Sequence, residues 1–195
     1  YAILADLGYF PKEDLATLRK FGSHLQGHPD AKKTPGIECS SGSLGQGASV
    51  AAGMAMAAKY KGEKHHVYTI IGDGESQEGM IWEVALSAPQ YKLDNFTMIL
   101  DHNGLQIDGS NDDVMGIGDI CAKFGASGWN VIHLKDGHNI EDIIAALKMH
   151  CDGKPTVMKW KCVGCGACGR ICAHGAPIIT DHKARIDHDK CVGCG

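Results

Sequence analysis

No apolar run in the 195 residues approaches the roughly 18 that a membrane-spanning helix needs, so the chain reads as soluble, with no membrane partner. A basic stripe is lacking too. Residues 1–160 carry 14 basic against 20 acidic side chains, and residues 161–195 carry 5 against 3. This excludes the concentrated positive face that nucleic-acid binding requires. There is no secretory signal and no initiating methionine: the sequence opens inside an apolar, helix-like run over residues 1–7, and is expected to be a piece of a longer protein. Nine cysteines are present, but not in the pattern of a secreted disulfide scaffold. Six fall after residue 160, most at C-x-x-C spacing, which in a reducing, cytoplasmic compartment signals metal binding. The scattered Cys39, Cys121 and Cys151 read as reduced thiols that pack as small apolar side chains.

Short runs rich in β-branched and aromatic residues occur at 66–73, 95–101, 129–134 and 155–160, bounded by glycine and polar turns, and predict four strands. Helix-period segments lie between them at about 76–88, 118–125 and 139–150, the last opening with Asn139 and Asp142 in a capping arrangement. Alternation of this kind predicts an α/β fold with a doubly wound, mostly parallel sheet, buried on both faces. Ligands of such sheets lie beyond the carboxyl ends of the strands. Upstream, SGSLGQGASVAAGMAMAAKY (41–60) is a glycine-punctuated loop feeding a helix of small residues. It predicts close packing against a neighbour, with the leading loop free to approach a ligand.

Two strand ends carry the candidate chemistry. IIGDGESQEG follows the first strand and LDHNGLQIDG the second, with Asp73 and Asn103 thirty residues apart, the length of one β–α–β unit. A parallel sheet then brings a carboxylate and an amide oxygen to the same edge, where both can ligate one hard cation. Mg²⁺ favours such oxygen sites when substrate phosphates complete its octahedron. Gly72 and Gly74, without β-carbons, allow the backbone to approach a diphosphate.

GDGESQEG and NGLQIDG, together with GHPDAKKTPGIECSSGSLGQG (27–47), resemble the thiamine-diphosphate-binding N-terminal part of transketolase, particularly the form split into two subunits. The resemblance covers about residues 1–158. It implies transfer of a two-carbon ketol unit from a ketose phosphate to an aldose phosphate, with thiamine diphosphate and Mg²⁺ (or Ca²⁺) as cofactors. In that reading Asp73, Asn103 and the Leu105 carbonyl hold the metal, and Gly72 and Gly74 pack on the phosphates. Leu44 supports the cofactor rings, His28 faces the sugar, and Glu78 lies at a subunit interface. The family's glutamate that acts on the cofactor comes from a pyrimidine-binding partner subunit, which nothing in this chain resembles. The resemblance therefore implies an oligomer with that partner. No role is expected for His65, His66 or His102.

Residues 161–195 resemble part of a two-cluster ferredoxin. Cys162, Cys165, Cys168 and Cys172 form C-x₂-C-x₂-C-x₃-C, and Cys191 and Cys194 begin a second C-x₂-C, the spacing that wraps 4Fe-4S clusters. The resemblance implies that Cys172 joins Cys191 and Cys194 on one cluster and that Cys162, Cys165 and Cys168 serve another, with zinc or unliganded cysteines as the alternatives. Ketol transfer moves no net electrons, so an iron–sulfur module beside it invites other readings: an enzyme of the 2-oxoacid:ferredoxin oxidoreductase type, a non-catalytic electron carrier, or two coding segments joined near residue 159.

Overall fold

The computed structural model describes residues 1–149, 153–161, 177–180 and 183–186. In chain order these form helix α1 (Ala2–Asp6), a 3-10 turn (Lys12–Thr17), α2 (Gln46–Lys61), strand β1 (Val67–Gly72), a second 3-10 turn (Glu75–Gln77) and α3 (Gly79–Gln90). Strand β2 (Phe96–His102), a two-rung hairpin of β3 (Leu105–Gln106) and β4 (Gly109–Ser110), α4 (Asn111–Val114) and α5 (Ile120–Ala126) follow. Then come β5 (Asn130–Leu134), α6 (Ile140–Leu147), β6 (Thr156–Lys161) and an antiparallel hairpin of β7 (Pro177–Thr180) and β8 (Lys183–Ile186). Strand β8 lies alongside β3 and β4.

The four expected strands form one parallel sheet in the order β1-β2-β6-β5. Side chains alternate across a strand, and β2 divides two cores accordingly. Phe96, Met98 and Leu100 are buried with residues of α2, α3 and α5, whereas Ile99 joins Met158 of β6 and Ala146 of α6. Helices therefore cover both faces, but not everywhere. Tyr68 and Ile70 of β1 are 47% and 66% exposed, so among the described residues that corner stays largely open. The expectation of a fully covered sheet holds for β2 and fails at this edge strand.

Helix α2 shows why small residues dominate its sequence. Ala48, Ala51, Ala52, Ala55 and Ala58 are buried at helical spacing, which brings its backbone close to β1 and α3. Gly62 stops it at φ +70°, a conformation favouring glycine. Asn139 and Asp119 cap α6 and α5 by accepting the Asp142 and Ala122 N–H groups at 3.1 and 3.0 Å. The segment expected to be helical from residue 76 starts its α-helix at Gly79, because Glu78 is extended (φ −70°, ψ 139°) and separates α3 from the preceding turn. Cys121 is buried and its thiol is pushed up by loss of solvation, in keeping with an inert, packed cysteine. Cys151 lies outside the described residues.

Pro89 lies inside α3 and has no N–H to give the Ala85 carbonyl four residues earlier. The indole Nε1 of Trp129 donates to that carbonyl at 2.9 Å instead. Its ring also packs edge-on against Phe96 and Phe124. Replacing Trp129 with Phe should therefore cost about 1–3 kcal/mol, the penalty of a buried acceptor left unpaired. Adding Pro89→Ala, which restores the helical donor, should recover part of that loss; urea denaturation of the single and double variants measures both.

Candidate functional site

Strands β1 and β2 run parallel with Gly72 opposite Asp101, so the residues that follow them leave the same edge of the sheet. Asp73 comes one residue after β1 and is 1% exposed. Its Oδ1 pairs with Nδ1 of His102 at 2.6 Å, and its Oδ2 accepts the Gly104 N–H. Those two partners flank Asn103, so the carboxylate and the amide expected at one edge are tied through one tripeptide. Asn103 is itself held in place. Its Oδ1 accepts the Leu105 N–H at 2.9 Å, and its amide nitrogen faces Asp101 Oδ2 at 3.4 Å. Gly104 turns the chain at φ +81°, and its carbonyl accepts the Asn111 N–H at 3.0 Å, folding the β3–β4 hairpin back over the strand tips.

The two glycines differ. A β-carbon on Gly72 would meet nothing within 4 Å, consistent with open space at the strand tip. On Gly74 it would lie 3.0 Å from the Gln106 Cβ, so the lack of a side chain there makes room for the β3 hairpin. The neighbour that needs the space at Gly74 is thus Gln106, where a diphosphate was expected. Among the described residues Gln106 Nε2 is buried without a partner, as are both amide atoms of Asn111 at the start of α4. Buried polar groups are ordinarily paired, which leaves the hairpin with donors free to meet an anion.

A second loop reaches this edge. Gly45, at the start of α2, donates its N–H to Glu75 Oε1 at 2.9 Å, and Glu75 Oε2 lies 3.4 Å from the Gly72 nitrogen. A β-carbon on Gly45 would meet Glu78 Cβ at 3.2 Å and Met80 Cβ at 3.3 Å. Further along, a β-carbon on Gly42 would fall 2.5 Å from the His28 ring, and Ser41 N–H donates to the Pro29 carbonyl at 3.2 Å. The segments 27–30, 41–47, 72–78 and 101–111 thus form a connected chain of contacts. Leu44 is half exposed, and His28 and Glu78 are exposed. No hydrogen bond joins His28 or Glu78 to Asp73 or Asn103 among the described residues; His28 reaches this edge through the 41–45 loop, and Glu78 through the turn that follows Asp73. Beside that loop a cleft of about 200 Å³ is lined by Ser40, Ser41, Ser43, Gln46, Gly47 and Val50.

The donor set fits a hard cation better than a soft one. Among the described residues no three His, Cys, Asp or Glu side chains converge, which leaves out a site built from such side chains alone. What this edge offers is the Asp73 carboxylate, the Asn103 amide oxygen in the loop pinned to it, and the backbone that follows, oxygen donors of the kind that suit Mg²⁺ completed by phosphate. Asp73 is buried with two hydrogen-bond partners among the described residues, His102 and the Gly104 N–H, which leave lone pairs on both oxygens. His102, for which no role was expected, is therefore part of the site, its ring 23% exposed against the fully buried carboxylate. Glu75, Gly104 and Gln106 join it without having stood out in the sequence. The only sequence signal for His102 and Gly104 is their place on either side of Asn103. His66 by contrast bonds Thr97 at 2.7 Å and packs on Tyr68, away from these contacts. The six cysteines from Cys162 to Cys194 lie outside the described residues.

A family model of the transketolase thiamine diphosphate binding domain matches residues 1–190, running past residue 158 into the cysteine-rich segment. The 6-deoxy-6-sulfo-D-fructose transketolase subunit SqwG of Clostridium sp. (strain MSTE9) is 41% identical over 187 residues, 93% of this chain and 68% of that protein. An apulose-4-phosphate transketolase subunit of Actinobacillus succinogenes is 43% identical over 159 residues, 81% of this chain and 57% of its own length. Among solved structures, transketolase from Campylobacter jejuni superposes with a TM-score of 0.69 at 35% identity, covering 76% of this chain and 24% of that one. The chain thus spans between about half and two thirds of the subunit-sized relatives and a quarter of the solved enzyme.

The contact between His102 and Asp73 bears on metal affinity. His102→Ala should raise the Mg²⁺ concentration needed for half-maximal cofactor binding about tenfold or more, the usual effect of losing a hydrogen bond to a ligating side chain. His102→Asn, whose amide can donate from nearly the same position, should stay within about threefold. Mg²⁺ titration of cofactor binding measures both.

Proposed function

This chain belongs to the transketolase family of transferases, of which it carries the thiamine diphosphate-binding domain, and we propose that it works as the cofactor-binding subunit of a split transketolase. In this reading it transfers a two-carbon ketol unit between anionic sugars when paired with a pyrimidine-binding partner subunit. The observation that carries the reading is the buried Asp73 carboxylate held against the residues flanking Asn103 at adjacent parallel strand tips.

Bound thiamine diphosphate supplies the carbon nucleophile that carries the two-carbon unit. The protein's own groups place it. Asp73 and Asn103, with the Leu105 carbonyl, would hold Mg²⁺, and the backbone at Gly72–Gly74 and the Gln106 amide, unpaired among the described residues, would serve the diphosphate. Leu44 supports the rings from the neighbouring loop, and His28, on the same loop system, faces the sugar. Glu78, exposed at the start of α3, meets the partner subunit. That partner contributes the acid–base glutamate, so this chain alone is inactive. Two relatives are named for a sulfonated ketose and a sugar phosphate, which argues for a substrate with an anionic terminus. A soluble, cytoplasmic enzyme of the pentose phosphate type fits this chemistry.

The cysteine spacing favours a second, separate activity in the tail. Strand β6 ends at Lys161, paired with His102, and Cys162 follows immediately. Cys162, Cys165, Cys168, Cys172, Cys191 and Cys194 together suffice for one 4Fe-4S cluster with four thiolate ligands but not two. In that case the chain resembles a 2-oxoacid:ferredoxin oxidoreductase in pairing thiamine diphosphate with a cluster.

With the partner present, the protein should turn over xylulose and ribose phosphates, or a sulfonated ketose, and should not reduce a viologen dye with a 2-oxoacid; the reverse pattern would favour the oxidoreductase. Asp73→Ala should weaken Mg²⁺-dependent cofactor binding by about a hundredfold or more, as expected for losing a buried charged partner. Unchanged calorimetric binding would remove the proposed metal site. Anaerobically purified protein should hold iron for one cluster at most. Two clusters per chain would contradict the ligand count.

A further inference from the structure

We propose that Glu75 is a positioning residue that sets the distance between the two halves of the cofactor site, an inference that rests on the thiamine diphosphate reading. Helix α2 has sixteen residues, and the N–H groups of its first turn have no partners within the helix. Its N-cap residue is Gly45, at φ +83° and with no side chain to cap with. The missing carboxylate arrives from thirty residues away: Glu75 Oε1 takes the Gly45 N–H at 2.9 Å. A negative group here also meets the positive end of the α2 dipole. In an ordinary capping box a glutamate within the helix's own first turn reaches back to the N-cap N–H. Here the reaching residue belongs to another strand tip.

That displacement gives the bond its consequence. Glu75 is two residues from Asp73, and its own turn is closed by Ser76 N–H to the Asp73 carbonyl at 3.1 Å and Glu78 N–H to the Glu75 carbonyl at 3.0 Å. Its other oxygen lies 3.4 Å from the Gly72 nitrogen. One carboxylate therefore joins the strand tip that holds the metal end of the cofactor to the loop that carries Leu44. Through the Gly42 contact with His28, the same tie extends to the segment facing the sugar. Gly45 packs against Glu78 and Met80 with no room for a β-carbon, so the loop docks onto the start of α3 and the carboxylate fixes where along it the loop stops. Without Glu75 the metal ligands keep their own partners, His102 and Gly104, and only the ring-supporting loop comes loose.

The test separates the two halves of the ligand. Wild type, Glu75→Ala and Glu75→Gln, each paired with the partner subunit, are titrated calorimetrically with Mg²⁺–thiamine diphosphate and with Mg²⁺–pyrophosphate, which lacks the rings. Hydrogen exchange of residues 41–47 is followed in the unliganded chain. Glu75→Ala should lose about tenfold in thiamine diphosphate affinity, the scale of one charge-assisted hydrogen bond, keep pyrophosphate affinity within about twofold, and exchange faster over 41–47. Glu75→Gln, which retains an acceptor for Gly45 but neither the charge nor the second acceptor, should fall between wild type and Glu75→Ala. Equal losses for both ligands, a Gln variant as weak as the Ala variant, or unchanged exchange over 41–47 would each overturn the proposal. Wild type that binds neither ligand would instead fail the thiamine diphosphate reading, while the exchange measurement would still decide whether Glu75 holds the loop.

Discussion

A carboxylate taken out of water must be compensated, and Asp73 is compensated by donors that lie on either side of Asn103. Its two oxygens accept from His102 and from the Gly104 backbone, which fixes the orientation of both the carboxylate and the loop carrying the amide. Each oxygen still has a lone pair to offer. The arrangement is satisfied enough to fold and still electron-rich enough to bind a divalent ion. The sheet register makes it possible: with Gly72 opposite Asp101, a shift of one rung would move Asp73 along the edge and separate it from the loop that pins it.

Around this pair the molecule is built as two clamps. In the proposed reading one would hold the metal and diphosphate at the tips of β1 and β2, where Asp73 is fixed by His102 and the Gly104 backbone. The other is the 41–45 loop, positioned by the start of α2 and by its contacts with His28, Glu75 and Glu78. The alanine face of α2 belongs to the same design, because close packing of a small-residue helix on the sheet brings its leading loop down to the strand tips. The exposed positions of His28, Leu44 and Glu78 suit groups that meet a substrate, a cofactor ring or another subunit, since such groups gain their contacts only in the assembly.

The strands and their order of use are legible in the sequence because a buried parallel sheet demands continuous β-branched and aromatic runs, and the α/β alternation leaves few topologies. Asp73 and Asn103 are legible for a related reason: a thirty-residue interval between strand ends has one meaning in a β–α–β unit. What the sequence hides depends on side-chain reach. His102 has only its place beside Asn103 to mark it, since a histidine next to an amide has many uses, and Glu75 has no mark because its partner is a backbone N–H thirty residues earlier. Gly74 does mark a place without room for a side chain, but the neighbour that takes the room is Gln106. The uncovered corner of β1 at Tyr68 and Ile70 has no signature, since such runs look the same whether one face or two are covered.

The family match extends through residue 190 and so overlaps the cysteine-rich segment that follows β6, whose last residue, Lys161, pairs with His102. The account nevertheless depends on a single divalent ion. Its most direct test is the anomalous scattering of Mn²⁺ in crystals grown with thiamine diphosphate and the partner subunit. The account predicts one peak bridging Asp73 and Asn103 oxygens at about 2.0–2.2 Å, near the Mg²⁺ distance, with diphosphate oxygens completing the shell. Cofactor bound with no metal between those two side chains, or metal bound elsewhere, would contradict it.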